Sequence, residues 1–119
     1  MAKNIPLYVT TTLPYVNASP HIGHALELIQ ADTLARYWRL TGEPVFFSTG
    51  TDEHGQKVEQ AAKSKHMNPQ EHCDEMVLRF QALWKLLDIS HDDFIRTTEP
   101  RHTKVVKEIL QTIFDAGEI

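Results

Sequence analysis

The sequence predicts an α/β fold with a parallel sheet flanked by helices, and two observations predict it. Short runs rich in β-branched and aromatic residues alternate with longer stretches of helical periodicity. Each helical stretch is also long enough to carry the chain back from the end of one strand to the start of the next, the return that consecutive parallel strands require.

Residues 5–12 are rich in Val, Ile, Tyr and Thr and are bounded by a turn containing Pro14, so they read as a buried first strand. Ser19 then stands as a helix cap with Pro20 in the first turn, and Ile22, Leu26, Ile29, Thr33, Tyr37 and Leu40 mark one face of a long helix that Gly42 stops. Val45, Phe46 and Phe47 open a second strand, expected over residues 45–48 and followed by the polar turn Thr49-Gly50-Thr51-Asp52-Glu53-His54-Gly55. Residues 56–66 form a short helix. Asn68-Pro69 opens another, with a core stripe at Cys73, Met76, Val77, Phe80, Leu83, Trp84 and Leu87. Residues 94–97 make a weaker third strand, and from Pro100 a final helix is expected to bury Val106, Ile109, Leu110 and Ile113. Strand, helix, strand with right-handed crossovers describes a Rossmann-like sheet.

Composition limits what such a fold can be doing. At 119 residues the chain is one domain or part of one, and 41% hydrophobic with 24% charged residues is ordinary for a packed globular chain. A formal charge of -4 gives no general attraction to nucleic acid or an anionic membrane, so any RNA would have to be held by parts outside this chain. The single cysteine, Cys73, excludes an internal disulfide and a cysteine-built zinc cluster, and a reducing, cytoplasmic setting is expected. The start, Met1-Ala2-Lys3-Asn4, leads into a short apolar stretch broken by Pro6 and reads as neither an export signal nor a membrane anchor. No repeat, low-complexity tract or linker suggests an internal domain boundary.

In a parallel sheet of this kind ligands bind beyond the carboxyl ends of the strands, and the first handover from strand to helix runs from Leu13 to His24. A helix start favours phosphate through its unpaired amides and dipole. His21 and His24, three apart, lie on one side of that first turn. Gly23 between them has no Cβ, which lets a flat ring such as adenine approach the backbone. For an arbitrary pair of histidines, capping or plain surface exposure is the commoner explanation. A zinc pair is disfavoured because helical ligand pairs usually sit four apart beside a glutamate, and no third ligand is evident.

The tetrapeptide His21-Ile22-Gly23-His24 resembles the HIGH signature of class I aminoacyl-tRNA synthetases, and its flanks resemble the methionyl-tRNA synthetase family. These flanks are Thr11-Thr12-Leu13-Pro14-Tyr15-Val16-Asn17, Ala31-Asp32-Thr33-Leu34-Ala35-Arg36-Tyr37, and Phe46-Phe47-Ser48-Thr49-Gly50-Thr51-Asp52-Glu53-His54-Gly55-Gln56-Lys57. Asp92-Asp93-Phe94-Ile95-Arg96-Thr97-Thr98 is also similar to the family, so the resemblance covers nearly the whole chain.

The resemblance implies activation of methionine by ATP, carried with Mg2+, and transfer of the methionyl group to methionine tRNA. It implies His21 and His24 as the catalytic donors to the phosphates, Gly23 behind the adenine and Glu27 near the adenosine. Asp52 would hold the methionine ammonium, Leu13 would contribute backbone contacts and Tyr15 would close over the methionine side chain. A solvated helical glutamate and an Asp that caps a turn are the ordinary roles of such residues. His54 is expected to shape the loop, Trp38, Phe80 and Trp84 to pack in a core or groove, and Cys73 beside His72 to pack as well.

A second family signature, the KMSKS loop, is not among these residues, nor is the cysteine-bearing insertion that could hold zinc, nor a helical anticodon-binding domain. The expectation is an amino-terminal part, residues 1–119, of a Rossmann-like catalytic domain that does not complete the reaction alone. Two other readings share features with this one. A small nucleotidyltransferase uses a His-x-Gly-His turn on a similar fold but leaves the blocks around Tyr15 and Asp52 unexplained. A non-catalytic module could keep the same fold for binding or assembly.

Overall fold

The computed structural model describes residues 6–119. The expected strand start at Ile5 and the leader Met1-Ala2-Lys3-Asn4 lie outside the described residues. Three strands form one sheet: β1 (Leu7–Thr10), β2 (Val45–Thr51) and β3 (Asp93–Arg96), in the order β1-β2-β3 and parallel throughout. Leu7 pairs with Val45 and Ser48 with Asp93, so β2 is the central strand. Between them run α1 (Ile22–Leu40), α2 (Gln56–Ser64) and α3 (Pro69–Leu86), and α4 (Pro100–Asp115) follows β3.

The alternation of side chains along β2 divides the sheet into two unlike faces. Phe47, Thr49 and Thr51 are fully buried on the face covered by helices, where Phe47 joins Val16, Leu28, Met76, Phe80 and Trp84 in the core. On the other face Phe46 stacks on Tyr8 at 5.9 Å and both remain open to solvent. Gly50 lies where β2 meets β3 most closely. A Cβ there would come within 1.9 Å of the Ile95 carbonyl oxygen, so only glycine permits the pairing.

The stripe expected on α3 is its core face, with Cys73, Met76, Val77, Phe80 and Trp84 all buried together with His72. Asn68 caps α3 as expected: its side chain accepts from Gln70 N–H, and Glu71 reaches back to the Asn68 amide. Asn68→Ala should therefore cost about 1 kcal/mol, read as a lower urea midpoint at unchanged slope.

Three expectations are corrected. Helix α1 is capped by His21 and not by Ser19, and Pro20 lies outside the helix, because the His21 ring itself accepts the Gly23 amide. The buried face of α1 is Ala25, Leu28, Ala31, Asp32 and Ala35, while Ile22, Leu26, Ile29, Tyr37 and Leu40 are exposed. The alanines let the helix lie close to the sheet, and the larger side chains other than Leu28 point away. Burial works against ionisation of Asp32, yet the Ser90 hydroxyl and amide, together with Arg36, hold its carboxyl below the usual range. Finally, α4 buries no residue, and Val106, Ile109 and Leu110 stand exposed where a core stripe was expected. Phe80 and Trp84 pack in the core as anticipated, whereas Trp38 is partly exposed and rests edge-on against Tyr37.

Candidate functional site

The site lies at the carboxyl end of the sheet, where β1 and β2 continue their pairing beyond the regular strands. Tyr15 and Asp52 form a parallel bridge: the Asp52 amide donates to the Pro14 carbonyl at 3.0 Å and the Val16 amide to the Asp52 carbonyl at 3.3 Å. Two residues expected to meet the same substrate molecule are thus fixed side by side through their main chains.

Leu13, Tyr15, His21 and His24 line one cleft of about 460 Å³, together with Thr12, Pro14 and residues 17–19. Tyr15 is more than half exposed and also lines a second cleft with His54, Gly55, Gln56 and Lys57, so it forms the wall between the two. Asp52 does not line the histidine cleft and reaches it only by way of Tyr15.

The two imidazoles stack at 3.9 Å between centroids, and His24 also meets Phe80 edge-on at 5.6 Å. Their tautomers follow from the helix cap. His21 Nδ1 accepts from Gly23 N–H and His24 Nδ1 accepts from His21 N–H, both at 3.1 Å, so in each neutral ring the proton is on Nε2. Burial lowers the His24 pKa below its ordinary value, and the neighbouring His21 adds to this while Glu27 opposes it. The shift favours the neutral imidazole, which donates through Nε2. The first-turn amides that a bare helix start would offer to an anion are thus partly spent on the rings, which offer N–H groups in their place. Gly23 is required by the same arrangement, because a Cβ there would meet His21 Cε1 at 2.9 Å.

Glu27 is not merely solvated. Its two oxygens accept the Thr12 amide and the Thr12 hydroxyl, each at 2.7 Å, tying α1 to the loop that carries Leu13.

Several residues that sequence reasoning passed over build the turn around Asp52. Glu53 is buried and takes both nitrogens of Arg96, Nε at 2.6 Å and Nη2 at 2.9 Å, with the Thr51 and Thr98 hydroxyls completing the set of donors. Arg96 also pairs with Asp74 and is held firmly protonated, chiefly by its bond to Glu53. The Thr97 hydroxyl accepts the Glu53 amide at 2.8 Å and meets His54 Nδ1 at 3.0 Å. His54 shapes this loop as expected, its amide donating to Asp52 Oδ1 at 3.1 Å.

Helix α3 braces the Tyr15 and Asp52 loops from below. His72 Nε2 bonds the Val16 carbonyl at 3.1 Å, and the Cys73 thiol donates to the Glu53 carbonyl at 3.7 Å. Burial, aided by the Glu53 charge, pushes that thiol up to about 11, so Cys73 is a protonated packing group. Among the described residues no group of three His, Cys, Asp or Glu side chains is arranged to hold a metal ion, and no helix is long and apolar enough to cross a membrane.

The sequence and the fold have known counterparts. The family described as tRNA synthetases class I (M) matches residues 7–119. The chain is 55% identical over 111 residues to a methionine–tRNA ligase of Thermosynechococcus vestitus, covering 93% of this chain and 21% of that protein. It is 49% identical over all 119 residues to the one of Rhizobium meliloti, covering 23% of it. A structure of Mycobacterium tuberculosis methionyl-tRNA synthetase in complex with methionyl-adenylate superposes with a TM-score of 0.92 at 45% identity, over 94% of this chain and 22% of that one. The chain thus spans about a fifth of the length of these relatives. The match to the family and to its ligases over nearly its whole length places this chain in the methionyl branch of the class I aminoacyl-tRNA synthetases.

Proposed function

We propose that this chain supplies the amino-terminal half of the nucleotide-binding fold of an enzyme that activates methionine with ATP and charges methionine tRNA. The observation that carries this reading is the shared cleft: two imidazoles, both presenting Nε2–H, open into the space lined by Leu13 and Tyr15, and Tyr15 is main-chain paired to Asp52. The share of its relatives that the chain spans supports its working as part of a longer protein. The second signature loop, the insertion and the anticodon-binding domain belong, on this reading, to other parts of that protein. So does any zinc, and the residues here do not finish the reaction alone.

In the activation step a methionine carboxylate oxygen forms a bond to the α-phosphorus of ATP as the bond to pyrophosphate breaks. Charge gathers on the phosphate oxygens, and donors fixed beforehand stabilise it without reorganising. His21 and His24 take that role because the cap fixes their tautomers and their stacking fixes their orientation. Gly23 keeps the helix start open to the adenine, and Glu27 holds the Thr12 segment beside the nucleotide. The Asp52 carboxylate meets the methionine ammonium, Leu13 offers main-chain contacts and Tyr15 covers the side chain. Mg2+ accompanies the triphosphate, tRNA is bound elsewhere in the protein, and the setting is the cytoplasm.

The test is methionine-dependent exchange of pyrophosphate into ATP by the complete protein. His24→Asn should slow adenylate formation roughly 10- to 100-fold, the worth of one hydrogen bond to a charged group, with methionine binding little changed. An unaltered rate of adenylate formation in that variant would remove His24 from the phosphate site.

A further inference from the structure

We propose that Thr97 is a positioning residue for the Asp52 carboxylate, and thereby for methionine recognition, an inference that rests on Asp52 receiving the methionine ammonium. Thr97 follows the last residue of β3 and is buried, and its amide donates to the Thr51 carbonyl at 3.2 Å. That bond carries the pairing with β2 one residue beyond the strand and places the Thr97 side chain against the turn that follows Thr51.

Its hydroxyl then touches three consecutive residues: Glu53 N at 2.8 Å, His54 Nδ1 at 3.0 Å and Asp52 Oδ1 at 3.4 Å. A hydroxyl has one proton and two lone pairs. The Glu53 amide uses one lone pair. If the proton went to His54, the remaining lone pair would face the lone pairs of Asp52 Oδ1. One allocation turns all three contacts into hydrogen bonds: His54 donates Nδ1–H to Thr97, and Thr97 donates its proton to Asp52.

Asp52 Oδ1 is then held twice, by the Thr97 hydroxyl and by the His54 amide at 3.1 Å. Oδ2 accepts no hydrogen bond among the described residues, so the oxygen left for a cation is defined. Asp74, Glu53 and Arg96 compensate one another nearby, which leaves Asp52 as the carboxylate of this turn without a cationic partner among the described residues. Thr97 thus fixes which oxygen is spent on the fold and which remains for the substrate's ammonium.

The experiment uses the complete enzyme and compares Thr97→Val, which keeps the shape and removes the hydroxyl, with Thr97→Ser, which keeps the hydroxyl. Thr97→Val should raise the KM for methionine by about tenfold, the worth of roughly one hydrogen bond, with kcat and the KM for ATP nearly unchanged, and Thr97→Ser should restore the methionine KM. Should the valine variant fail to fold, Thr97→Ala carries the same expectation. Asp52→Asn is run in parallel to separate the two ideas. If Asp52→Asn leaves methionine binding intact, the underlying reading of Asp52 fails. If Asp52→Asn weakens methionine binding while the Thr97 variants leave the methionine KM unchanged, or lower only the active fraction and the melting temperature, Thr97 is structural and the proposal is overturned.

Discussion

Replacing Asp52 with Asn in the complete enzyme is expected to reduce the efficiency of methionine activation by roughly 30- to 1000-fold, corresponding to about 2–4 kcal/mol. The substitution preserves size and leaves an oxygen able to accept the His54 amide and the Thr97 hydroxyl, so the turn keeps its shape. It removes only the negative charge, and with it the charge-assisted bond to a desolvated ammonium. The defect should therefore appear in methionine binding, measured directly at equilibrium, while the KM for ATP changes much less. Methionine bound as tightly as by the parent enzyme would make Asp52 a turn residue and nothing more.

A second large effect is expected at Glu53, this time on stability. The Glu53 side chain is fully buried and its two oxygens accept four donors, from Thr51, Thr98 and two nitrogens of Arg96. Gln at this position would turn an NH2 group toward donors and leave the guanidinium of Arg96 without its main counter-charge. Removing one partner of a buried pair costs about 3–5 kcal/mol, more than the pair itself contributes, because the other charge stays behind uncompensated. Urea unfolding of the Glu53→Gln chain, followed through the buried Trp84, should show that loss. A change below about 1 kcal/mol would mean that Asp74 alone suffices for Arg96.

The sequence announced the elements whose pattern is local. Val45, Phe46 and Phe47 marked β2, Asn68-Pro69 marked the start of α3, and the His21 to His24 turn was found where a strand hands over to a helix. The face of α1 was misread because hydrophobic periodicity weights bulk, and Leu26, Ile29 and Tyr37 outweigh Ala25, Ala31 and Ala35. Burial follows the distance of closest approach, which favours the small residues. The stripe on α4 has the right period, yet nothing among the described residues packs firmly over it. The supports of Asp52 were out of reach for a different reason. Arg96, Thr97 and Thr98 lie more than 40 residues from Asp52 and Glu53, and only the register of β2 with β3 brings them together. In sequence a threonine at a strand end signals β-propensity and nothing else.

The cap that orients His21 and His24 also decides what the pair refuses. A metal ion needs an imidazole lone pair, and here each Nδ1 lone pair is engaged by a main-chain N–H while each Nε2 carries a proton. To ligate a divalent cation, a ring would have to lose its proton to solvent or turn over and release the first turn of α1. Two histidines stacked at 3.9 Å would otherwise invite adventitious zinc. Held in this way, the two rings offer donors of the same kind, a surface suited to electron-rich oxygens and poorly suited to cations because the helix start is wired into the tautomer.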